Sequence, residues 1–255
     1  TWAVTSTTST SALSPAAAKA DGFAVTDVDG AVIAQEGVDD STSTEAGATS
    51  AATPEPTPVV TEAPEIEIRV YVDYLSTGSA EFQLANAAQL STWVDEGAVS
   101  LTYYPVAMLT AKSNGTKYSL RAAAASACVA THASDAFFKF NNALLEQQPD
   151  VDADGYSDTE LADIAQASGV SNPKVVRACI EDGDFLSWAK KATERAVEEI
   201  PDTEGVQLTG TPLVLVNGSV YVGALDDPKE FAQFVLTIDS DAYYQTLSPT
   251  PTPTP

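Results

Sequence analysis

Alternation of apolar and polar side chains runs through Ile66 to Tyr74, a stretch rich in β-branched and aromatic residues, and predicts a strand. From Ser79 to Glu96 the period changes. Phe82, Leu90, Trp93 and Val94 recur at helical spacing, and Gly97 supplies a C-terminal stop. Ala98 to Pro105 returns to strand character. This strand–helix–strand unit requires a parallel pair joined by a right-handed crossover. A long helical stretch follows. Leu120, Ala124, Ala127, Cys128 and Thr131 share one face; after a break near His132 to Ser134, Phe137, Phe138, Asn141, Leu144 and Leu145 share another. Ser157-Asp158-Thr159-Glu160 is a capping-box pattern for a helix ending at Gly169. Asn172-Pro173 opens the next helix. Phe185, Trp188, Ala189, Ala196 and Val197 mark another, stopped by Pro201. Leu213 to Val216, an Asn217-Gly218 turn and Val220 to Val222 form a β-hairpin, and a helix from Pro228 to about Leu236 closes the pattern.

The flanks differ in kind. Residues 1–64 are dominated by Ser, Thr, Ala and Pro, as in Thr53-Pro54-Glu55-Pro56-Thr57-Pro58, and carry too little apolar area to offset chain entropy. They read as a linker. One island within it, Phe23, Val25, Val28, Ala31 and Ile33 around Asp27-Val28-Asp29-Gly30, has the pattern of a hairpin over residues 22–35. Two isolated strands are marginal, so this hairpin either docks on the main domain or does not form. Residues 247–255 repeat Pro-Thr and read as an extended tail. Residues 65–246 remain, enough for one domain with a sizeable core.

Charge narrows the function classes. The 255 residues carry 36 Asp and Glu against 12 Lys and Arg, a formal charge of −24 that excludes nucleic acid and anionic membrane surfaces as partners. A single His and two Cys leave no material for a structural zinc site, and no apolar run nears the ~18 residues of a membrane span. No cofactor is implied. A start at Thr1 rather than Met reads as a mature or trimmed chain whose signal or anchor lies upstream.

Three stretches carry a family resemblance: Val70-Tyr71-Val72-Asp73-Tyr74-Leu75; Ala133 to Phe140 with Leu144-Leu145 and Gln148-Pro149; and Gly210-Thr211-Pro212-Leu213-Val214-Leu215-Val216-Asn217-Gly218. The chain resembles the extracytoplasmic DsbA-like thiol–disulfide oxidoreductases of actinobacteria over roughly residues 65 to 237. The resemblance implies an α/β thioredoxin fold with a helical domain inserted at about residues 117–200. It also implies a cis-proline at Pro212, with Thr211 and Pro212 binding an extended peptide. The family's Cys-x-x-Cys falls on Ser76-Thr77-Gly78-Ser79 here, and the buried acid that several relatives keep six residues earlier is Val70. A serine hydroxyl is neither the thiolate nucleophile nor half of a disulfide. A serine nucleophile would need a base within reach, and the single His132 falls in the insert. The simpler role for one of these serines is capping the first helix.

An even cysteine count in a chain of secretory character suggests a disulfide, with two buried free thiols as the alternative. The resemblance implies a structural disulfide between Cys128 and Cys179. Asp150, Asp152, Asp154 and Asp158, with Gly155, match the first part of an EF-hand loop, but Leu161 stands where the bidentate Glu belongs. They are calcium candidates set against a solvated acidic loop before a helix. Asn114-Gly115-Thr116 and Asn217-Gly218-Ser219 match the glycosylation sequon, which carries little weight in the bacterial setting that the resemblance implies. The reading that results is a redox-inactive DsbA-like protein tethered outside a bacterial membrane, with an extended peptide or envelope protein as partner. An active thiol–disulfide oxidoreductase and a purely structural envelope spacer are the alternatives; the serines weigh against an enzyme.

Overall fold

The computed structural model describes residues 13–28 and 66–247. Five strands form one mixed sheet: β1 (Phe23–Ala24), β2 (Ile66–Val72), β3 (Val99–Pro105), β4 (Leu213–Val216) and β5 (Ser219–Val220), in the order β1-β3-β2-β4-β5. β2 runs parallel to β3, with Ile68 opposite Leu101, and antiparallel to β4, with Val70 opposite Val214. The parallel pair is connected by α1 (Thr77–Asp95). The insert is α2 (Tyr118–His132), a 3₁₀ turn at Ser134–Ala136, α3 (Phe137–Glu146), α4 (Asp158–Ala167), α5 (Pro173–Asp182) and α6 (Leu186–Glu198). α7 (Pro228–Leu247) follows the hairpin. This is the thioredoxin arrangement with a helical insertion.

β2 is buried on both faces, which its alternation does not announce. Ile68, Val70 and Val72 enter the main core with Phe82, Leu90, Phe137 and Phe231. Tyr71 enters a smaller cluster with Tyr104, Ile200, Leu208 and Leu215 on the opposite face. Arg69, only 4% exposed, reaches across that face and donates from Nη1 to the carbonyl of Pro201 at 2.7 Å. The insert is joined by a bond between Cys128 on α2 and Cys179 on α5, whose Cα atoms are 5.8 Å apart. A crosslink spanning a sequence separation of 51 stabilises by about 4 kcal/mol in the chain-entropy model.

Three boundaries differ from the sequence expectation. Residues 13–28, assigned to the linker, belong to the domain. Phe23 is 1% exposed, its ring 5.7 Å from that of Phe137 and 5.4 Å from that of Trp188. The tight turn lies at Ala20-Asp21, both at positive φ, between the bridged Lys19 and Gly22. β1 then pairs with β3 rather than with a second arm; Ala31 and Ile33 of the expected hairpin lie outside the described residues. The averaged composition of residues 1–64 hides this short apolar island. Asp21 fastens the segment to α6, accepting from Nε and Nη2 of Arg195 and from the Trp188 indole. The second boundary is α7, which runs past Leu236 to Leu247 and takes in the first residue assigned to the tail, because neither Gly nor Pro interrupts the chain before Pro249. The third is β5, which ends at Val220 rather than Val222; the Val222 side chain is 89% exposed.

The packing of Phe23 gives a direct test. Phe23→Ala is expected to lose about 3 kcal/mol of unfolding free energy in urea, as for a ring removed from a closed core. A loss below about 0.5 kcal/mol would show that residues 13–28 do not contribute to the folded domain.

Candidate functional site

β2 delivers the chain into Asp73-Tyr74-Leu75, and α1 starts immediately after. Ser76 is its N-cap: the backbone is extended (φ −87°, ψ 118°), and its Oγ accepts from the amide of Ser79 at 3.4 Å. The same hydroxyl donates to the carbonyl of Thr211 at 2.7 Å. Thr211–Pro212 is a cis peptide. Thus the two stretches that bracket the insert, separated by 135 residues, meet through one serine hydroxyl. Gly78 makes the approach possible. A Cβ there would lie 3.0 Å from Pro212 Cδ and 3.2 Å from Leu225 Cδ1, so a side chain would push the loop away. The insert reaches the same point, with Gln148 Nε2 donating to the Ser76 carbonyl at 3.0 Å. Ser76 and Ser79 are buried, whereas Thr77 is exposed.

Asp73 is the residue that sequence reasoning missed. Its carboxylate is fully buried and accepts from the amides of Leu75 (2.9 Å) and Leu109 (2.8 Å) and from Ser119 Oγ (2.6 Å). Burial pushes its pKa above the ordinary 3.8, against the opposing effect of these donors. Its own amide donates to Ser79 Oγ at 3.3 Å. Val70, at the position where the resemblance places an acid in several relatives, is an ordinary core residue at 1% exposure. The available signal was an acid closing an otherwise apolar strand, where a carboxylate must find donors. Next to it, the Tyr74 hydroxyl bonds Ser126 Oγ (2.7 Å) and donates to Asn141 Oδ1 (2.9 Å), tying the same turn to α2 and α3.

The other candidates stand apart from this turn. The sulfurs of Cys128 and Cys179 are paired and buried between α2 and α5, and the chain has no other cysteine. His132 ends α2, where its carbonyl accepts from Asn172 Nδ2. The acidic loop does not converge as a calcium site. Asp158 pairs with Arg121 at 2.9 Å, Asp154 accepts from Asn114 Nδ2 at 3.0 Å, and Glu160 completes the capping box with Ser157. Among the described residues, no group of three or more His, Cys, Asp or Glu is arranged to hold a metal ion.

The raised pKa of Asp73 fixes the sign of a pH effect. Between 3.8 and its higher folded-state value, the folded chain binds more protons at this site than the unfolded chain, so this site's contribution to stability falls as pH rises. Relative to Asp73→Asn, the wild type is expected to gain stability as pH drops from 7 towards 4, read from paired urea titrations. If the wild-type margin instead shrank on acidification, the carboxylate would be held by its donors more strongly than burial opposes it.

Comparison with known proteins agrees with this geometry. A family model described as "Thioredoxin" matches residues 61–240. The structure of oxidised Mycobacterium tuberculosis DsbA superposes with a TM-score of 0.59 at 28% identity, covering 72% of this chain and 88% of that one. Reduced DsbG from the same organism gives 0.59 at 26% identity, over 76% and 90%. The serine/threonine-protein kinase PknE of M. tuberculosis is 29% identical over 172 residues, which is 66% of this chain but 29% of the kinase. The chain therefore spans less than a third of the length of the curated relatives it matches. Among the described residues, no helix is long and apolar enough to cross a membrane. By the extent of the family match and by its fold, the chain belongs to the thioredoxin family, in its DsbA-like form.

Proposed function

We propose that this is a redox-inactive DsbA-like protein, held outside the cytoplasm, that binds extended peptide or envelope-protein segments in the groove between Ser76-Thr77 and Thr211-Pro212. The observation that carries the reading is the 2.7 Å bond from Ser76 Oγ to the Thr211 carbonyl. It sets a serine at the helix N-terminus, the place where a DsbA-like motif needs its attacking sulfur, and employs the hydroxyl in holding the groove together. Exchange requires a low-pKa thiolate and a resolving thiol. Both cysteines of the chain are spent on a buried bond between helices. Backbone recognition of an extended segment requires no sulfur.

A paired cystine supports an oxidising compartment. The Ser/Thr/Pro-rich stretch before β2 supports a tether to the cell surface. The match to one part of PknE supports a recognition module that acts as a segment of something larger.

Insulin reduction and dithiol-peptide oxidation by the wild type are expected at background, with no change in Cys128→Ala/Cys179→Ala. Ser76→Cys/Ser79→Cys should gain measurable exchange, weak because Val70 stands where relatives keep an acid. Wild-type activity well above background would overturn the redox-inactive reading. For the groove, an extended peptide should bind the full chain in fluorescence anisotropy and lose that binding in Gly78→Phe, whose ring would occupy the space against Pro212 and Leu225. Equal binding by the variant would place the peptide elsewhere.

A further inference from the structure

We infer that the second face of the sheet carries a binding cavity for a small uncharged molecule with an apolar body and one hydrogen-bond-accepting oxygen, an aryl ketone or amide in kind. The cavity, of about 390 Å³, lies between residues 14–21, the exit of β3 at Pro105-Val106, and α6. That volume is ordinary for a small-molecule site. Ala18, Val106, Ala192 and Ala196 give it apolar walls, and Trp188 adds an aromatic one. Tyr71 and Tyr104 line it from the sheet, side by side, with their rings stacked at 4.4 Å. Both belong to the smaller core cluster with Ala196, whereas Phe82 and Leu90 of α1 belong to the main one, so this cavity is not part of the contact between Ser76 and Pro212.

Two features select the occupant. The first is an unmet hydroxyl. In the main core the Tyr74 hydroxyl bonds Ser126 and Asn141, and Tyr103 donates to Gln83 Oε1 at 2.6 Å. Tyr71, only 2% exposed and part of the cavity wall, makes no hydrogen bond through its hydroxyl among the described residues. Burial above all, with Tyr104 and Asp21, keeps this phenol protonated against the opposing effect of Arg69, so it presents an O–H donor. A donor so buried is costly to leave unpaired, and a carbonyl oxygen in the cavity meets that need. The second feature is charge. Asp21 and Arg195, the charged residues of the wall, are already paired: Asp21 accepts from Nε and Nη2 of Arg195 at 2.7 and 2.6 Å and from the Trp188 indole at 3.2 Å. Arg69 is likewise engaged, with the Pro201 carbonyl and Glu67. An ionised guest loses its hydration here and finds no unpaired charge of opposite sign, so the cavity favours a neutral one.

The test titrates the full ¹⁵N-labelled chain at neutral pH with four molecules of matched size: acetophenone, toluene, benzoate and benzylamine. The Trp188 indole N–H signal, assigned against Trp188→Phe, reports from the cavity wall. Acetophenone is expected to bind with a Kd of about 1 mM, in the range of a ligand of so few atoms. Toluene, which lacks the oxygen, should bind about fivefold more weakly, the worth of one hydrogen bond. The two ions should bind about tenfold more weakly than acetophenone. Tyr71→Phe should bring acetophenone down to the toluene level and leave toluene unchanged. Filling the cavity from either wall, with Ala18→Trp on the half-buried N-terminal segment or Ala192→Leu on α6, should weaken both neutral molecules by about tenfold or more. No saturable shift with acetophenone up to about 10 mM would overturn the cavity as a binding site. Benzoate or benzylamine binding as tightly as acetophenone would overturn the uncharged class. An acetophenone advantage that persists in Tyr71→Phe would overturn the role of the hydroxyl, and binding untouched by both filling variants would overturn the location.

Discussion

A carboxylate buried among amide and hydroxyl donors sets the terms for everything around it. Asp73 closes β2 inside the domain, and an ionised or even neutral carboxyl there is costly unless donors meet it. Those donors come from three places: the turn itself at Leu75, the loop after β3 at Leu109, and the start of α2 at Ser119. Satisfying one side chain therefore fixes how the first strand of the core, the exit from β3 and the entry to the insert meet. The adjacent Tyr74 extends the same constraint to Ser126 and Asn141, deeper in the insert. The end of β2 is consequently a fixed point from which α1 is launched.

The launch point itself is built with hydroxyls. Ser76 serves two neighbours, as helix cap for Ser79 and as donor to Thr211. Gly78 lets the cis-proline loop come close, and Gln148 closes the arrangement from the insert. The contact between the α1 start and the cis-proline loop is kept by hydrogen bonds and close packing rather than by a disulfide. The one disulfide staples α2 to α5 within the insert.

The second face of the sheet is closed by different means. Arg69 crosses it to the Pro201 carbonyl, Tyr71 and Tyr104 stack at 4.4 Å, and the segment ending in β1 is fastened to α6 through Asp21, Trp188 and Arg195. This segment adds a strand at the β3 edge and a buried aromatic, Phe23, that touches both the insert and the core. The sheet, the insert and the N-terminal segment are thus held through shared side chains rather than as separate layers.

Element types and their order were legible in the residues because each follows from local periodicity. The β-branched run at Ile66–Val72, the capping box at Ser157–Glu160 and the Asn217-Gly218 turn are short-range signals that tertiary packing leaves intact. The three stretches around Asp73-Tyr74, Phe137-Phe138 and Thr211-Pro212 carried the fold. Other properties depended on partners far along the chain. No local pattern tells that Phe23 finds Phe137 and Trp188, or that Arg69 lies buried under Pro201. Nor does any local pattern show that the buried carboxylate of Asp73 meets donors from Leu109 and Ser119. The dispersal of Asp154 and Asp158 onto Asn114 and Arg121 is of the same kind. Periodicity reports which face of an element is buried; only the assembled chain decides which donor meets a buried carboxylate, because that depends on contacts between residues tens to more than a hundred positions apart.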